Sequence, residues 1–438
     1  MRGIRHEGRG RRIFTITGRL FMFQIAIIGC GVVGSGVADI LLEKQEELGK
    51  RFNEEVRLTK IVDIKNMTGT PYAPYLTSDQ KEVLEDEAIR LLVVTVGGLD
   101  QAAEICRKAL RAGKHVVTSN KAVVAAYGRE LTTLAFENNV RFLYEASAGG
   151  GIPIIRPLNI CLSVNDIYEI QGILNGTTNY MLTGMYRDKM SFEDMLKDAQ
   201  AKGYAEADPS ADVDGFDAAR KIAILSSIAY DEFIDYQKVK CIGIRDVVYA
   251  DHELAASGGY VIKLIAGSRK TAEGVRVSVE PKLVSKNHIL SAVHSVYNAV
   301  LVRGSYTGDS LFYGQGAGKF ATASAILGDI VEILEAPGRQ TLPGFVFREA
   351  EPVRESSEKE RFYVRVVSQF NDTDFEELKF HITEVFGENA VYLGYALSDN
   401  TTAGFLSDRC SEAELCKKLE MLSENAGIRI AYTMRVAD

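Results

Sequence analysis

The residues best suited to chemistry in this chain crowd into one acidic stretch. It reads Gly203-Tyr204-Ala205-Glu206-Ala207-Asp208-Pro209-Ser210-Ala211-Asp212-Val213-Asp214-Gly215-Phe216-Asp217-Ala218-Ala219-Arg220-Lys221. Asp212-x-Asp214-Gly215 fits the middle of a calcium loop. The first ligand position would then be Ser210 and the twelfth Lys221, so calcium is excluded. Beyond Gly215 the residue types favour a helix, which puts Asp217 and Lys221 at i, i+4 on one face. A solvated pair at that spacing contributes only ~0.3 kcal/mol, and the pair matters more if it sits in a site.

A second constellation is Gly29-Cys30-Gly31-Val32-Val33-Gly34, which follows an apolar run and opens a helix-like stretch. In that setting G-x-G-x-x-G is a dinucleotide fingerprint. Gly29 permits the tight turn, Gly31 lets the backbone reach a pyrophosphate, and Gly34 lets the helix pack on the strand. The helix start offers unpaired N–H groups to the phosphates. Asp63 ends the next apolar run, where a carboxylate can accept from ribose hydroxyls and repel a 2′-phosphate, which favours NAD over NADP. It lies 29 residues past Gly34, beyond the usual ~20, which implies a longer helix or loop around Leu48–Glu55. Lys65 nearby tempers the preference.

The elements that must hold these groups alternate strand and helix from Phe23 onward: Gln24–Ile28, Val56–Asp63, Leu91–Val96 ending in Gly97-Gly98, and His115–Val117, with helices between. Such alternation predicts an α/β unit, a parallel sheet with helices on both faces. After Glu145 the texture changes at Ala148-Gly149-Gly150-Gly151-Ile152-Pro153, and Tyr260–Gly267 and Val275–Val279 read as antiparallel strands. A second glycine loop, Gly314–Gly318, leads into a helix to about Glu335. A polar, proline-bearing stretch follows and reads as a linker. The last eighty residues read strand, helix, strand, strand, helix, strand, the ferredoxin-like order.

Three signatures occur in order: Gly172-Ile173-Leu174-Asn175-Gly176-Thr177-Thr178-Asn179-Tyr180, the Gly203–Lys221 stretch, and Gly314-Gln315-Gly316-Ala317-Gly318. With Thr118-Ser119-Asn120-Lys121 and the first glycine loop, they closely resemble homoserine dehydrogenases over about residues 23–335. The resemblance implies NAD(P)-dependent interconversion of aspartate semialdehyde and homoserine in threonine and methionine biosynthesis. It also implies a Rossmann-type doubly wound domain at 22–150, completed by 311–336, and a mixed α+β substrate-binding and dimerisation domain at 151–310. A linker at 337–359 and an ACT-like ferredoxin-like regulatory domain at 360–438 follow.

On this resemblance Glu206 and Asp212 take the substrate ammonium, Asp217 holds substrate and Lys221, and Thr177 with the backbone after Gly176 adds contacts. The alkoxide formed by hydride transfer needs a proton donor. Histidine is the usual choice, but none of the six lies in these segments. Lys121 and Lys221 are the candidates, with Lys121 the favoured carrier and Lys221 co-catalyst. The cofactor contacts extend to Gly97, Lys121 and Gly318. A sodium or potassium site matches Glu145 with backbone carbonyls of Ala148, Gly150 and Ile152. ACT domains usually carry an Asp-x-Pro-Gly turn after the first strand. Here that place reads Gln369-Phe370-Asn371-Asp372-Thr373-Asp374, so threonine inhibition is expected to be weak or absent. A homodimer or homotetramer is expected.

Composition sets the outer bounds. The 438 residues are 46% apolar and 25% charged with net charge −8, which disfavours nucleic-acid partners. Six scattered cysteines without a C-x-x-C pair suit a reducing cytoplasm rather than zinc or disulfides. No apolar run approaches the ~20 residues of a membrane span. The arginine-rich residues 1–21 read as a disordered extension, with no room before Met22 for a fused aspartokinase. Two competing readings are weighed. A semialdehyde dehydrogenase of the thioester type requires a nucleophilic cysteine, and Cys30 in the glycine loop is badly placed for that. A catalytically silent NAD-sensing regulator has no need of Lys121, Glu206, Asp217 and Lys221.

Overall fold

A computed structural model describes residues 22–338, 343–353, 357–368, 375–425 and 427–437. The expected N-terminal extension, and the turn at 369–374 where an effector would bind, lie outside the described residues.

The first sheet is built from runs apolar on both faces. In β1 (Met22–Ile28), Ile25, Ala26, Ile27 and Ile28 are all buried, as expected of a strand covered by helices on each side. With β2 (Glu55–Val62), β3 (Leu76–Thr77), β4 (Ile89–Val94), β5 (His115–Thr118) and β6 (Phe142–Leu143) it forms an all-parallel sheet of order β3-β2-β1-β4-β5-β6. The crossovers carry α1 (Val32–Phe52), α2 (Lys81–Leu84), α3 (Asp100–Arg111) and α4 (Lys121–Glu137). The 21 residues of α1 account for the long spacing between Gly34 and Asp63. Strand order reverses between β1 and β4, which opens a crevice at their carboxyl ends, the usual ligand position in such sheets.

The second sheet runs β12-β11-β7-β9-β10-β16-β13-β15-β14, with β8 (Lys240–Cys241) also paired to β10. Its strands are β7 (Ile167–Ile173), β9 (Tyr260–Thr271), β10 (Gly274–Ser285), β11 (Tyr297–Gly304), β12 (Gly308–Gln315), β13 (Phe362–Ser368), β14 (Val391–Ala396), β15 (Asp399–Leu406) and β16 (Ile428–Ala437). Helices α5 (Gly176–Asp188), α6 (Phe192–Ala201), α7 (Ser210–Val213), α8 (Phe216–Tyr230) and α9 (Tyr249–Ser257) belong to this half. The chain then returns through α10 (Lys319–Glu335) to pack on α1. The approach is close: a Cβ on Gly36 would stand 2.8 Å from the Lys319 carbonyl oxygen. β12 pairs with β11 of the second sheet, and α10 follows it after the Gly314–Gly318 loop.

Helices α11 (Phe375–Phe386) and α12 (Glu412–Ser423) complete the C-terminal unit, whose strand order β16-β13-β15-β14 is antiparallel throughout. The unit does not stand apart. β16 pairs in parallel with β10, Lys282 against Arg435 and Val284 against Ala437, so one sheet runs through both. Buried charges cross the same seam. Arg435 pairs with Glu280, with Glu360 at 2.8 Å and with Glu412 at 2.8 Å. Asp251 of α9 accepts from Tyr363 at 2.7 Å and pairs with Arg365 at 2.5 Å. The stretch expected as a linker is fastened too: Phe345 and Val346 are buried, and Arg129 Nε donates to the Val346 carbonyl at 2.6 Å.

Candidate active site

The glycine loop is shaped by contacts that exclude side chains. Gly29 has φ +97°, and its N–H donates to the Val62 carbonyl at 2.9 Å. A Cβ on Gly34 would lie 1.9 Å from the Gly29 carbonyl oxygen, so α1 starts tight against the turn. Thr95, just past β4, locks that carbonyl with a hydroxyl bond of 2.6 Å. Around a Cβ on Gly31 nothing lies within 4 Å, and the same holds at Gly97. The cradle is therefore tight on its protein side and open where a pyrophosphate would approach, at the start of α1 where Val32 is exposed. These residues fit a dinucleotide.

Asp63 sits just past β2 as expected, but its oxygens are already engaged. Oδ2 accepts from the Cys30 N–H at 2.6 Å and Oδ1 from the Lys65 N–H at 2.9 Å. It orders the glycine loop from the end of β2. Cys30 is buried, and burial together with Asp63 pushes its thiol up to about 11. Burial likewise lifts Cys106 to about 12 and Cys241 to about 11. A thiol held protonated in this way is a poor nucleophile, and the thioester reading is not favoured.

The candidate reacting groups converge from both halves. Asn120 caps α4, accepting from the Ala122 and Val123 N–H groups, while its own amide donates to the Gly98 carbonyl at 2.8 Å. Lys121 thereby stands at the first helical position, over the crevice. Its Nζ lies 2.8 Å from Asp217 Oδ1, and Lys221 Nζ lies 2.7 Å from Asp217 Oδ2. The side chains of Asp217 and Lys221 are 5% and 10% exposed; that of Lys121 is 42% exposed. The i, i+4 pair is thus buried in a site, not solvated. Burial opposes the Asp217 charge, but Lys221 and then Lys121 outweigh it and hold its carboxyl well below the usual range. Lys221 also donates to the Leu174 carbonyl at 2.7 Å.

Asn175 is the residue that sequence reasoning missed. Its Oδ1 caps α5, accepting from the Thr178 N–H at 2.8 Å, and its Nδ2 donates to Asp212 at 2.7 Å and Asp217 at 3.0 Å. An Asn directly before a helix start is a cap signal, but its reach to carboxylates 37 and 42 residues away leaves no local trace. Burial and the Asp217 charge raise the Asp212 carboxyl, against the pull of Asn175 and Lys221. Gly176 opens α5 so close to the 293–298 segment that a Cβ would meet the Val296 carbonyl oxygen at 2.8 Å. Thr177 donates to the Tyr204 carbonyl at 2.7 Å, which ties α5 to the acidic stretch. Glu206 is exposed on that stretch, two residues further on.

Glu145 is buried, and its carboxylate is spent on backbone. Oε1 accepts from Ile154 at 2.6 Å and Ile155 at 2.8 Å, and Oε2 accepts from Arg156 at 2.7 Å. Its side chain therefore orders the 154–156 backbone. The turn after it carries Ala148, Gly150 and Ile152 and lies on the second glycine loop. Gly151 N–H donates to the Gln315 carbonyl at 3.0 Å, and a Cβ on Gly150 would stand 2.1 Å from the Gly316 oxygen. Gly318, with φ +126°, caps α10 beside that loop. Among the described residues no His, Cys, Asp and Glu side chains cluster as a metal site.

Comparison with known proteins agrees with this geometry. A family model for the homoserine dehydrogenase NAD-binding domain matches residues 29–145, and the homoserine dehydrogenase model matches residues 153–331. The chain belongs to the homoserine dehydrogenase family. It is 39% identical over 316 residues to the homoserine dehydrogenase of Bacillus subtilis (strain 168), covering 71% of this chain and 73% of that protein. It is 42% identical over 316 residues to that of Synechocystis sp., with the same shares. The homoserine dehydrogenase structure from Thiobacillus denitrificans superposes with TM-score 0.85 at 29% identity, over 95% of this chain and 98% of that one. A hyperthermophilic archaeal homoserine dehydrogenase in complex with NADPH gives TM-score 0.61 at 31% identity, over 71% of this chain and 97% of that one. Homoserine dehydrogenases are NAD(P)-dependent oxidoreductases, and the chain carries the corresponding nucleotide domain and substrate domain. No helix among the described residues is long and apolar enough to cross a membrane.

Proposed function

We propose that this chain interconverts L-aspartate 4-semialdehyde and L-homoserine with Lys121 as proton carrier and Asp217 as the anchor of the reacting groups. The observation that carries the reading is the Asp217 carboxylate held between one lysine from each domain. A bound nicotinamide supplies or accepts the hydride. Reduction of the aldehyde leaves charge on its oxygen, which needs a proton in the transition state. Lys121 is exposed enough to deliver that proton and be recharged from solvent. Lys221 has its donors on Asp217 and Leu174, so it orients the carboxylate. In the oxidative direction the hydroxyl proton returns by way of Lys121.

The substrate ammonium falls to Asp212 and Glu206, and its carboxylate to the start of α5 at Gly176 and Thr177, where helix N–H groups face the ligand. Asp63 favours NAD through its charge beside the ribose. A sodium or potassium ion is taken by carbonyls of Glu145, Ala148, Gly150 and Ile152, whose turn lies on the Gly314–Gly318 loop. The chain works as a homodimer or homotetramer in the cytoplasm, where its free cysteines suit a reducing milieu. The C-terminal unit is ACT-like in strand order. Product trapping tests the reaction: incubation with L-homoserine and dinucleotide should yield a hydrazine-reactive aldehyde in equal amount with reduced cofactor. Cofactor reduction without aldehyde would refute it.

A further inference from the structure

Among the described residues, Lys263 is a buried ammonium without a counter-ion. It sits in β9, 2% exposed, and burial lowers its affinity for the proton with no carboxylate opposing. Taking such a charge out of water is costly unless something is gained. Its bonds go to neutral oxygens: Asn179 Oδ1 at 3.1 Å and the Val293 carbonyl. Asn179, buried on α5, in turn donates through Nδ2 to the Ser295 carbonyl at 2.9 Å, the Tyr297 carbonyl at 3.0 Å and the Val293 carbonyl at 3.3 Å. An amide has two hydrogens for these three acceptors. Lys263 makes good the shortfall at Val293 and fixes which way the amide points.

The clamped segment is strained and central. Ser295 holds φ +59°, an unfavourable conformation for a residue with a side chain. Its N–H donates to Thr183 of α5 at 3.2 Å. On one side the Val296 carbonyl abuts Gly176 at the start of α5. On the other, Asn298 abuts Gly316, where a Cβ would stand 2.0 Å from its Nδ2. The 293–298 segment therefore spaces the start of α5 from the glycine loop that opens α10.

We propose that Lys263 is a positioning residue for the homoserine reaction, acting through Asn179 and the 293–298 segment to set the start of α5 against the Gly314–Gly318 loop. The proposal rests on the homoserine dehydrogenase reading, but one of its readouts does not. Lys263→Met removes a costly buried charge and keeps the stem, so the melting temperature should stay level or rise. Amide hydrogen exchange at 293–298 and at 176–179 should nevertheless speed up, whatever the activity. In turnover, kcat/KM for homoserine should fall at least ~10-fold, chiefly through KM. The Kd of reduced dinucleotide, read by its fluorescence without substrate, should not move. Lys263→Gln, which keeps a donor without the charge, should recover part of the loss and carries the test if the Met variant fails to fold. Wild-type exchange and kinetics in Lys263→Met would overturn the proposal. So would a drop in melting temperature with substrate and dinucleotide affinities falling together.

Discussion

Lys121 and Asp217 meet at 2.8 Å although one starts a helix on the parallel sheet and the other lies on α8 of the mixed sheet. The contact closes the cleft between the two halves and brings a half-exposed lysine to a buried carboxylate. The two ends of this contact should therefore respond differently to mutation.

Asp217→Asn strips Lys221 of its counter-ion while leaving it buried. Breaking one partner of a buried pair costs about 3–5 kcal/mol, so this variant should lose stability as well as activity. The pH dependence follows from the depressed carboxyl. Its contribution is fully present above the unfolded pKa of about 4 and is lost as pH falls through the lower folded value. Denaturant titrations should show a constant stability gap between wild type and Asp217→Asn from neutral pH to about 4, narrowing below. A gap that closes between pH 7 and 5 would contradict the assignment.

Asp212 has the opposite sign. Burial and the Asp217 charge raise its carboxyl, so at neutral pH its ionisation works against folding. Asp212→Asn keeps an oxygen for Asn175 and should melt at or above the wild-type temperature. Its KM for homoserine should rise about 10-fold or more, since the proposed ammonium partner is gone. Paired thermal melts and kinetics check this, and a less stable variant with normal KM would refute it.

Asp63 carries two jobs, so Asp63→Ser should do two things. NADP use should improve relative to NAD as charge repulsion is relieved. Affinity for both cofactors should fall, because the Cys30 N–H bond that orders the glycine loop is lost. Cofactor titrations separate the ratio from the common loss. An unchanged ratio would mean that the carboxylate serves the loop alone.

Ending the chain near Glu351 should not release a working catalytic core. Glu280 and Asp251 would lose Arg435 and Arg365, and β10 would lose its pairing with β16. An exposed sheet edge of that kind invites aggregation. Soluble, active protein from this truncation would show that the shared sheet is dispensable.

Much of the site was legible because its chemistry is local. Gly29 and Gly34 announce a turn that only glycine can make, with Gly31 open beside it, and Asp217 and Lys221 share a helix face by spacing alone. The ferredoxin-like strand order could be read from periodicity. What escaped depends on distant partners. Nothing beside Asn175 tells that it reaches Asp212 and Asp217, and nothing near Asp63 tells that the Cys30 N–H occupies it. The parallel pairing of β16 with β10 is invisible to periodicity, since a strand's pattern reports its faces and not its neighbour. For that reason the C-terminal unit read as a domain joined through a linker. The burial of Phe345 and Val346 inside a polar, proline-bearing stretch was masked by its composition.

The central claim is that Lys121 carries the proton at a site completed by Asp217. Lys121→Ala is the clean probe, because the side chain is half-exposed and its loss leaves Lys221 on Asp217. The direct measurement is the reduced-nicotinamide absorbance of wild type and Lys121→Ala with L-homoserine and either NAD or NADP, sodium and potassium present. Wild type should reduce the cofactor. The variant should fall at least ~100-fold in kcat/KM, or ~2.7 kcal/mol, with its melting temperature and dinucleotide affinity nearly unchanged. Equal rates in the two proteins, or no reduction by wild type with either cofactor, would contradict the account.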